Sequence, residues 1–96
     1  MIKEVIYTET YKFTLAAMIK NVENGYGVSS TEKLLDRIDS IVEKVAINPY
    51  LFQAIPIDNR FRRAVISRQS SLVYEITEAK IRLLYIFDNR QDPMWL

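Results

Sequence analysis

Five arginines and one tryptophan are the residues of this chain whose types and spacing could do chemistry. Arg60, Arg62, Arg63 and Arg68 lie in a stretch with no Asp or Glu between residues 59 and 74, and Arg90 and Trp95 occur in the closing string "YIFDNRQDPMWL". Guanidinium groups are permanent cations with forked donors that match phosphates and carboxylates. The arginine-rich stretch could therefore dock an acidic segment or an RNA backbone, and Arg90 could clamp a phosphate. The same residues are what a solvated sheet edge carries, and Arg90 could simply pair with Asp88 or Asp92. Alternation along an extended strand puts Arg62 and Arg68 on one face and Arg63 on the other, so the four cannot all serve one site. The chain has no His and no Cys. That removes imidazole acid–base catalysis, thiol nucleophiles, disulfides and the common zinc sites. Any catalysis would fall to carboxylates, Lys, Arg, Tyr or Ser, and no cofactor or metal is expected.

These residues need a scaffold, and composition bounds it. With 96 residues, 49% hydrophobic and 26% charged, residues 1–96 are expected to form one domain with one core. Net charge is only +1, which is not the balance of a strongly basic nucleic-acid binder. The distribution is uneven: residues 1–58 carry six Lys or Arg against eight Asp or Glu, a net of −2, and residues 59–96 carry seven against four, a net of +3. No apolar run approaches the ~20 residues of a membrane span. The opening "MIKEVIYTET" lacks the pattern of a signal peptide, so no membrane association and a cytoplasmic location are expected.

Periodicity supplies the elements. "IKEVIYT" is rich in β-branched and aromatic residues and reads as a strand. From Thr8 onward Tyr11, Leu15, Met18, Ile19, Val22 and Tyr26 recur at helical spacing, until "NGYG" stops the helix. In "SSTEKLLDRIDSIVEKVAINP" a stripe of Leu34, Leu35, Ile38, Ile41, Val42 and Val45 predicts a second helix over about residues 30–47, with Ser29 and Glu32 at capping-box spacing and Pro49 beyond its end. Its charged residues read as a solvated face. "YLFQAIPIDN" has no sustained period and contains Pro56, so it reads as irregular. Three strands follow at 60–67, 70–77 and 80–88, joined by connections short enough for hairpins. In the middle strand Leu72, Tyr74 and Ile76 share a face. In the last, Ile81, Leu83, Tyr85 and Phe87 share one face and Leu84 and Ile86 the other, which makes it a central strand covered on both sides. Tyr74 and Tyr85 are assigned to the core by this parity. The fold class is α+β: a helical hairpin on a small antiparallel sheet, in the order β-α-α-β-β-β.

That order, "NP" after the second helix, the arginine-rich first strand of the meander, the tyrosine in "LVYEI" and the ending "FDNRQDP" together resemble the RelE/ParE superfamily of type II toxins. The resemblance spans nearly the whole chain. It implies a growth-inhibiting toxin, held by a cognate antitoxin in a hetero-oligomer and acting on one of two targets. RelE-like members cut mRNA on the ribosome. ParE-like members act on DNA gyrase, need no catalytic set and are associated with plasmid stabilization. A third possibility is an interaction domain that keeps the fold without toxicity.

Cleavage of RNA requires deprotonation of a 2′-hydroxyl, stabilisation of the pentavalent phosphate and protonation of the leaving oxygen. For a ribonuclease the resemblance implies Arg62 or Arg63 together with Arg90. RelE-like enzymes commonly place a further arginine just before the leucine–valine–tyrosine core of the next strand. Here "SSLVY" puts Ser70 and Ser71 there. Trp95 falls near the place of a C-terminal tyrosine in those enzymes, but indole offers no useful dissociable proton. The catalytic set is therefore unassigned, and the ParE-like reading comes first.

Overall fold

Gly27 turns the chain from one helix into the next by itself. The computed structural model describes residues 2–91, and in it α1 (Glu9–Tyr26) and α2 (Val28–Ile47) are separated by this one glycine. The Gly27 amide donates to the Glu23 carbonyl at 3.0 Å, closing α1, and its carbonyl accepts from the Thr31 amide at 3.3 Å, opening α2. Its backbone sits at φ 89°, ψ 179°, a region that residues with a Cβ avoid. The expected capping box is consequently not formed. The helix begins ahead of Ser29, and no side chain caps it. An added Cβ at Gly27 would meet nothing within 4 Å, so Gly27→Ala tests backbone strain alone and should cost about 1–3 kcal/mol. Gly25 lies inside α1 with equally open surroundings, and Gly25→Ala should gain roughly 0.4–1 kcal/mol. Urea denaturation of the two variants should give shifts of opposite sign.

The strands are β1 (Glu4–Tyr7), β2 (Gln53–Ile55), β3 (Asp58–Val65), β4 (Ser70–Ile76) and β5 (Lys80–Asp88), followed by a short 3-10 turn at Asn89–Gln91. They form one sheet in the order β1-β5-β4-β3-β2. The β3-β4-β5 meander is antiparallel, and β1 joins β5 in parallel. The α+β class and the helical hairpin are as expected. One strand was not: β2 pairs antiparallel with β3 within the stretch read as irregular. Pro56 follows the strand instead of interrupting it, so its missing amide costs no ladder bond.

A second difference lies in β5. Val73 pairs with Tyr85 but Tyr74 pairs with Leu83, which leaves Leu84 as an extra residue. A bulge of this kind reverses the alternation beyond it. Ile81, Leu83 and Ile86 therefore share the helix-facing side with Leu72, Tyr74 and Ile76. Tyr85 and Phe87 fall on the opposite, open side, which corrects the single face expected for Ile81, Leu83, Tyr85 and Phe87 and the core assignment of Tyr85. Hydroxyls from α1 and its cap meet backbone groups around the bulge. Thr14 Oγ1 accepts from the Ile86 amide at 3.0 Å, and Thr8 Oγ1 donates to the Leu83 carbonyl at 2.6 Å. Thr8 also caps α1 by accepting from the Tyr11 amide at 3.1 Å. The helix, its cap and the strand irregularity form one unit.

The core lies between sheet and helices. Leu34, Ile38, Ile41 and Val45 of α2 are buried against Ala64, Leu72, Tyr74, Ile81 and Leu83, as the stripe required. From α1, Tyr11 is buried, with Leu15, Met18 and Val22 partly so. Tyr26 continues that periodicity but is 64% exposed, contrary to its expected place on the inner stripe. Among the described residues no helix is long and apolar enough to cross a membrane.

Candidate functional site

The arginines of the expected set go to four different places. Arg62 pairs across β3 and β4 with Tyr74, and Arg63 with Val73, so adjacent arginines enter opposite sides of the sheet. Arg62 is only 9% exposed. Its Nε donates to the Asn59 carbonyl at 3.0 Å, Nη1 to the Phe52 carbonyl at 3.0 Å and Nη2 to Asn59 Oδ1 at 2.9 Å. The guanidinium also lies over the Tyr50 ring, 5.0 Å from its centroid. These contacts tie the segment between α2 and β3 to the sheet. Arg60 stays at the exposed start of β3, where it meets Asp58 at 3.1 Å and reaches Glu75 at 4.0 Å.

Arg63 belongs to a polar cluster on the open side. Its Nε donates to Ser71 Oγ at 3.3 Å, its Nη2 to Asn89 Oδ1 at 3.0 Å, and its guanidinium rests over Phe87 at 5.1 Å. Ser71 is fully buried and donates to Asn89 Oδ1 at 2.5 Å. Asn89 also holds the β3–β4 turn: its Nδ2 donates to the Ser67 and Arg68 carbonyls at 3.2 and 3.1 Å, and its amide to the Gln69 carbonyl at 2.8 Å. Sequence reasoning named Arg63 and noticed Ser71 but missed Asn89. The one available signal was the position of Asn89 just beyond β5, where a side-chain amide can bond a neighbouring turn.

Arg68 and Arg90 both line a cleft of about 590 Å³ between the helical hairpin and the β3–β4 turn. Lys33 and Arg37 of α2 line the same cleft, and Asp88 is the one acid among the described residues that line it. Met18, Val22 and Leu34 supply apolar lining, and Tyr26 lines it too. Arg90 is fastened to Asp88 through both oxygens, with Nη2 to Oδ2 at 2.6 Å and Nε to Oδ1 at 3.0 Å. Those bonds hold the Asp88 carboxyl below the ordinary carboxylate range. The pairing of Arg90 with Asp88 is thus formed, while Asp92 and Trp95 lie outside the described residues. Lys33 and Arg37 were read only as solvated charges, and the cleft makes them neighbours of two of the named arginines.

The two strand tyrosines are shifted away from neutrality. Burial pushes the Tyr74 phenol up to about 12 and raises that of Tyr85, the wrong direction for a base. Glu75, on the open side, meets Arg82 at 2.7 Å. Among the described residues no group of three Asp or Glu side chains is placed to hold a metal. Among the described residues, cations gather at two separate surfaces, around Arg63 on the open side and along the cleft.

No protein-family model matches the chain, and no curated protein matches it. Solved structures do. A chain of the chromosomal ParDE TA system from P. aeruginosa superposes with a TM-score of 0.74 at 16% identity, covering 91% of this chain and 96% of that one. The YoeB/ParE toxin from Agrobacterium tumefaciens gives 0.64 at 6% identity, covering 90% and 98%. A chain of the E. coli DinJ-YafQ toxin-antitoxin complex gives 0.61 at 11% identity, covering 94% and 96%. Likeness over nearly the full length of each chain establishes that this sequence adopts the RelE/ParE-like fold.

Proposed function

We propose that the chain is the toxin of a type II toxin–antitoxin module, neutralised by a cognate antitoxin in a hetero-oligomer, and that it acts in the ParE-like manner on DNA gyrase. The toxin role is supported by the fold and by similar structures that include toxin–antitoxin assemblies. The choice of target is carried by one observation: the arginines that a ribonuclease would bring to one phosphate are dispersed. Arg62 is enclosed by loop carbonyls, Arg63 is tied to Ser71 and Asn89 on the open side, and Arg90 is tied to Asp88 beside the cleft. Ser71 occupies a strand position where RelE-like enzymes commonly have an arginine. A scissile phosphate needs several donors converging on one charge, whereas a binding inhibitor needs only surface.

The alternative, a ribosome-dependent mRNA endonuclease, draws on Arg62 or Arg63 together with Arg90. Induced expression in a bacterial host distinguishes the readings. Wild-type chain should arrest growth, co-expression of the adjacent gene product should relieve the arrest, and gyrase-linked DNA breaks should accumulate while ribosome-bound mRNA stays intact. Arg90→Ala should leave the melting temperature nearly unchanged, because an exposed ion pair is screened by water and salt. Ribosome-dependent cuts by the wild type, reduced on the order of 10²-fold by Arg90→Ala, would reverse the assignment. Normal growth at high levels of folded chain would instead make it a non-toxic interaction domain.

A further inference from the structure

We propose that Asn24, in the last turn of α1, is a site of spontaneous deamidation, and that the product rewires the link between the two helices. The first observation is the pair Asn24–Gly25. The chain has five asparagines, and attack by the following backbone nitrogen treats them unequally. Asn21 precedes Val22, whose branched Cβ crowds that nitrogen, and Asn48 precedes Pro49, whose nitrogen carries no proton. Asn59 and Asn89 precede arginines, and their side chains are held: Arg62 donates to Asn59 Oδ1 at 2.9 Å and Arg63 to Asn89 Oδ1 at 3.0 Å. Asn24 alone among the five is followed by glycine, which has no Cβ to obstruct ring closure.

The second observation is the surroundings of that pair. Asn24 and Gly25 are both exposed, and a Cβ built on Gly25 would meet nothing within 4 Å, so a ring has room to form. Helical backbone holds the Asn24 side chain away from the Gly25 nitrogen, and the turn must open before attack. This turn is the last of α1 and carries no basic residue, which leaves its carbonyl end without a compensating charge. Helix ends open at far lower free energy than a packed core.

The chemistry needs only water. The Gly25 nitrogen loses its proton to hydroxide and attacks Asn24 Cγ. A C–N bond forms, the Cγ–Nδ2 bond breaks, and ammonia leaves with a proton taken from water. Hydrolysis of the resulting succinimide at Cγ gives an aspartate. Hydrolysis at the main-chain carbonyl gives an isoaspartate, whose backbone runs through the side chain and gains one carbon. One water is consumed and one ammonia released in either case. Both products place a carboxylate at the negative end of α1. The isoaspartyl form does more: the Gly27 amide closes α1 on the Glu23 carbonyl at 3.0 Å, and residue 24 lies inside that loop, so a lengthened backbone cannot keep the same turn. Gly27 also opens α2, and Tyr26 lines the same cleft as Arg68 and Arg90. Chain that persists therefore accumulates a form with an altered helix link and cleft, whether or not it is toxic.

The test ages purified full-length chain in mildly alkaline buffer at growth temperature, beside a sample unfolded in guanidinium chloride, and compares tryptic peptides of both with those of fresh chain. Cleavage after Lys20 and Lys33 releases residues 21–33. In the folded sample this peptide should gain the mass difference between OH and NH2. Fragment ions should place the gain at residue 24 and not at 21, with the isoaspartyl form outnumbering the aspartyl one. Conversion should be slower than in the unfolded sample and should quicken as the pH rises, because the attacking nitrogen must be deprotonated. Aged chain should melt below fresh chain, with shifted amide resonances at Tyr26, Gly27 and Thr31. Asn24→Gln keeps an exposed amide but needs a larger ring, so it should lose the mass gain and melt alike fresh and aged. Conversion of the unfolded sample with none in the folded chain would overturn the proposal. Conversion at another asparagine ahead of Asn24, or ageing of Asn24→Gln like the wild type, would do the same.

Discussion

Tyr74→Ala is expected to remove about 3–5 kcal/mol of stability, a large share of the roughly 5–15 kcal/mol typical of a domain. Tyr74 is fully buried at the centre of the sheet, and its ring packs in the cluster that joins α2 to β4 and β5. Its hydroxyl donates to the Pro49 carbonyl at 2.6 Å, tying the exit of α2 to the same strand. Tyr74→Phe keeps the ring and loses that bond, so it should cost only about 1–2 kcal/mol. Urea denaturation separates the two costs. An alanine variant within about 1 kcal/mol of the wild type would show that the residue is not central to the core. Burial raises the folded phenol from 10.0 to about 12. The neutral form is therefore favoured by folding, its contribution is complete below pH 10, and it is lost as the pH climbs from about 10 to about 12.

Arg62→Ala should be the most damaging of the arginine substitutions, costing about 3 kcal/mol. The guanidinium spans the Phe52 carbonyl, the Asn59 carbonyl and the Asn59 side chain, and truncation would leave their acceptors without these bonds near the short edge strand β2. Arg62→Lys should not restore stability, since a single ammonium cannot reproduce a planar fork with three separate acceptors. The exposed Arg60 and Arg68 should tolerate alanine within about 0.5 kcal/mol. Thermal melts of the four variants should rank Arg62→Ala and Arg62→Lys far below the others. If Arg62→Ala melts with Arg68→Ala, the three contacts contribute nothing net, and the side chain would be available for a functional role.

Much of the architecture was legible because it rests on local patterns. The α2 stripe from Leu34 to Val45 could only be a helix with one buried side, and the three final strands announced themselves by β-branched and aromatic runs with short connections between them. What local pattern could not supply was β2, whose three residues acquire strand geometry from pairing with β3 and not from their own periodicity. The capping box failed for a related reason: Ser29 and Glu32 have the right spacing, but Gly27 bonds to both helices and leaves the box no terminus to cap.

The candidate site divides along the same line. Sequence alone determined that no histidine or cysteine could serve a site, that positive charge would gather in the second half, and that Arg62 and Arg63 would face opposite ways, because composition and strand alternation are properties of the chain itself. Only the tertiary structure decided the rest. One extra residue at Leu84 moved Tyr85 and Phe87 to the open side, a change invisible to parity counting because a bulge is defined by the partner strand. Folding brought Lys33 and Arg37 from α2 to Arg68 of the β3–β4 turn and Arg90 of the 3-10 turn, enclosed Arg62 among loop carbonyls and tied Arg63 to Asn89. Such juxtapositions join residues far apart in the chain, and spacing along a sequence carries no information about which distant groups a closed core will set side by side.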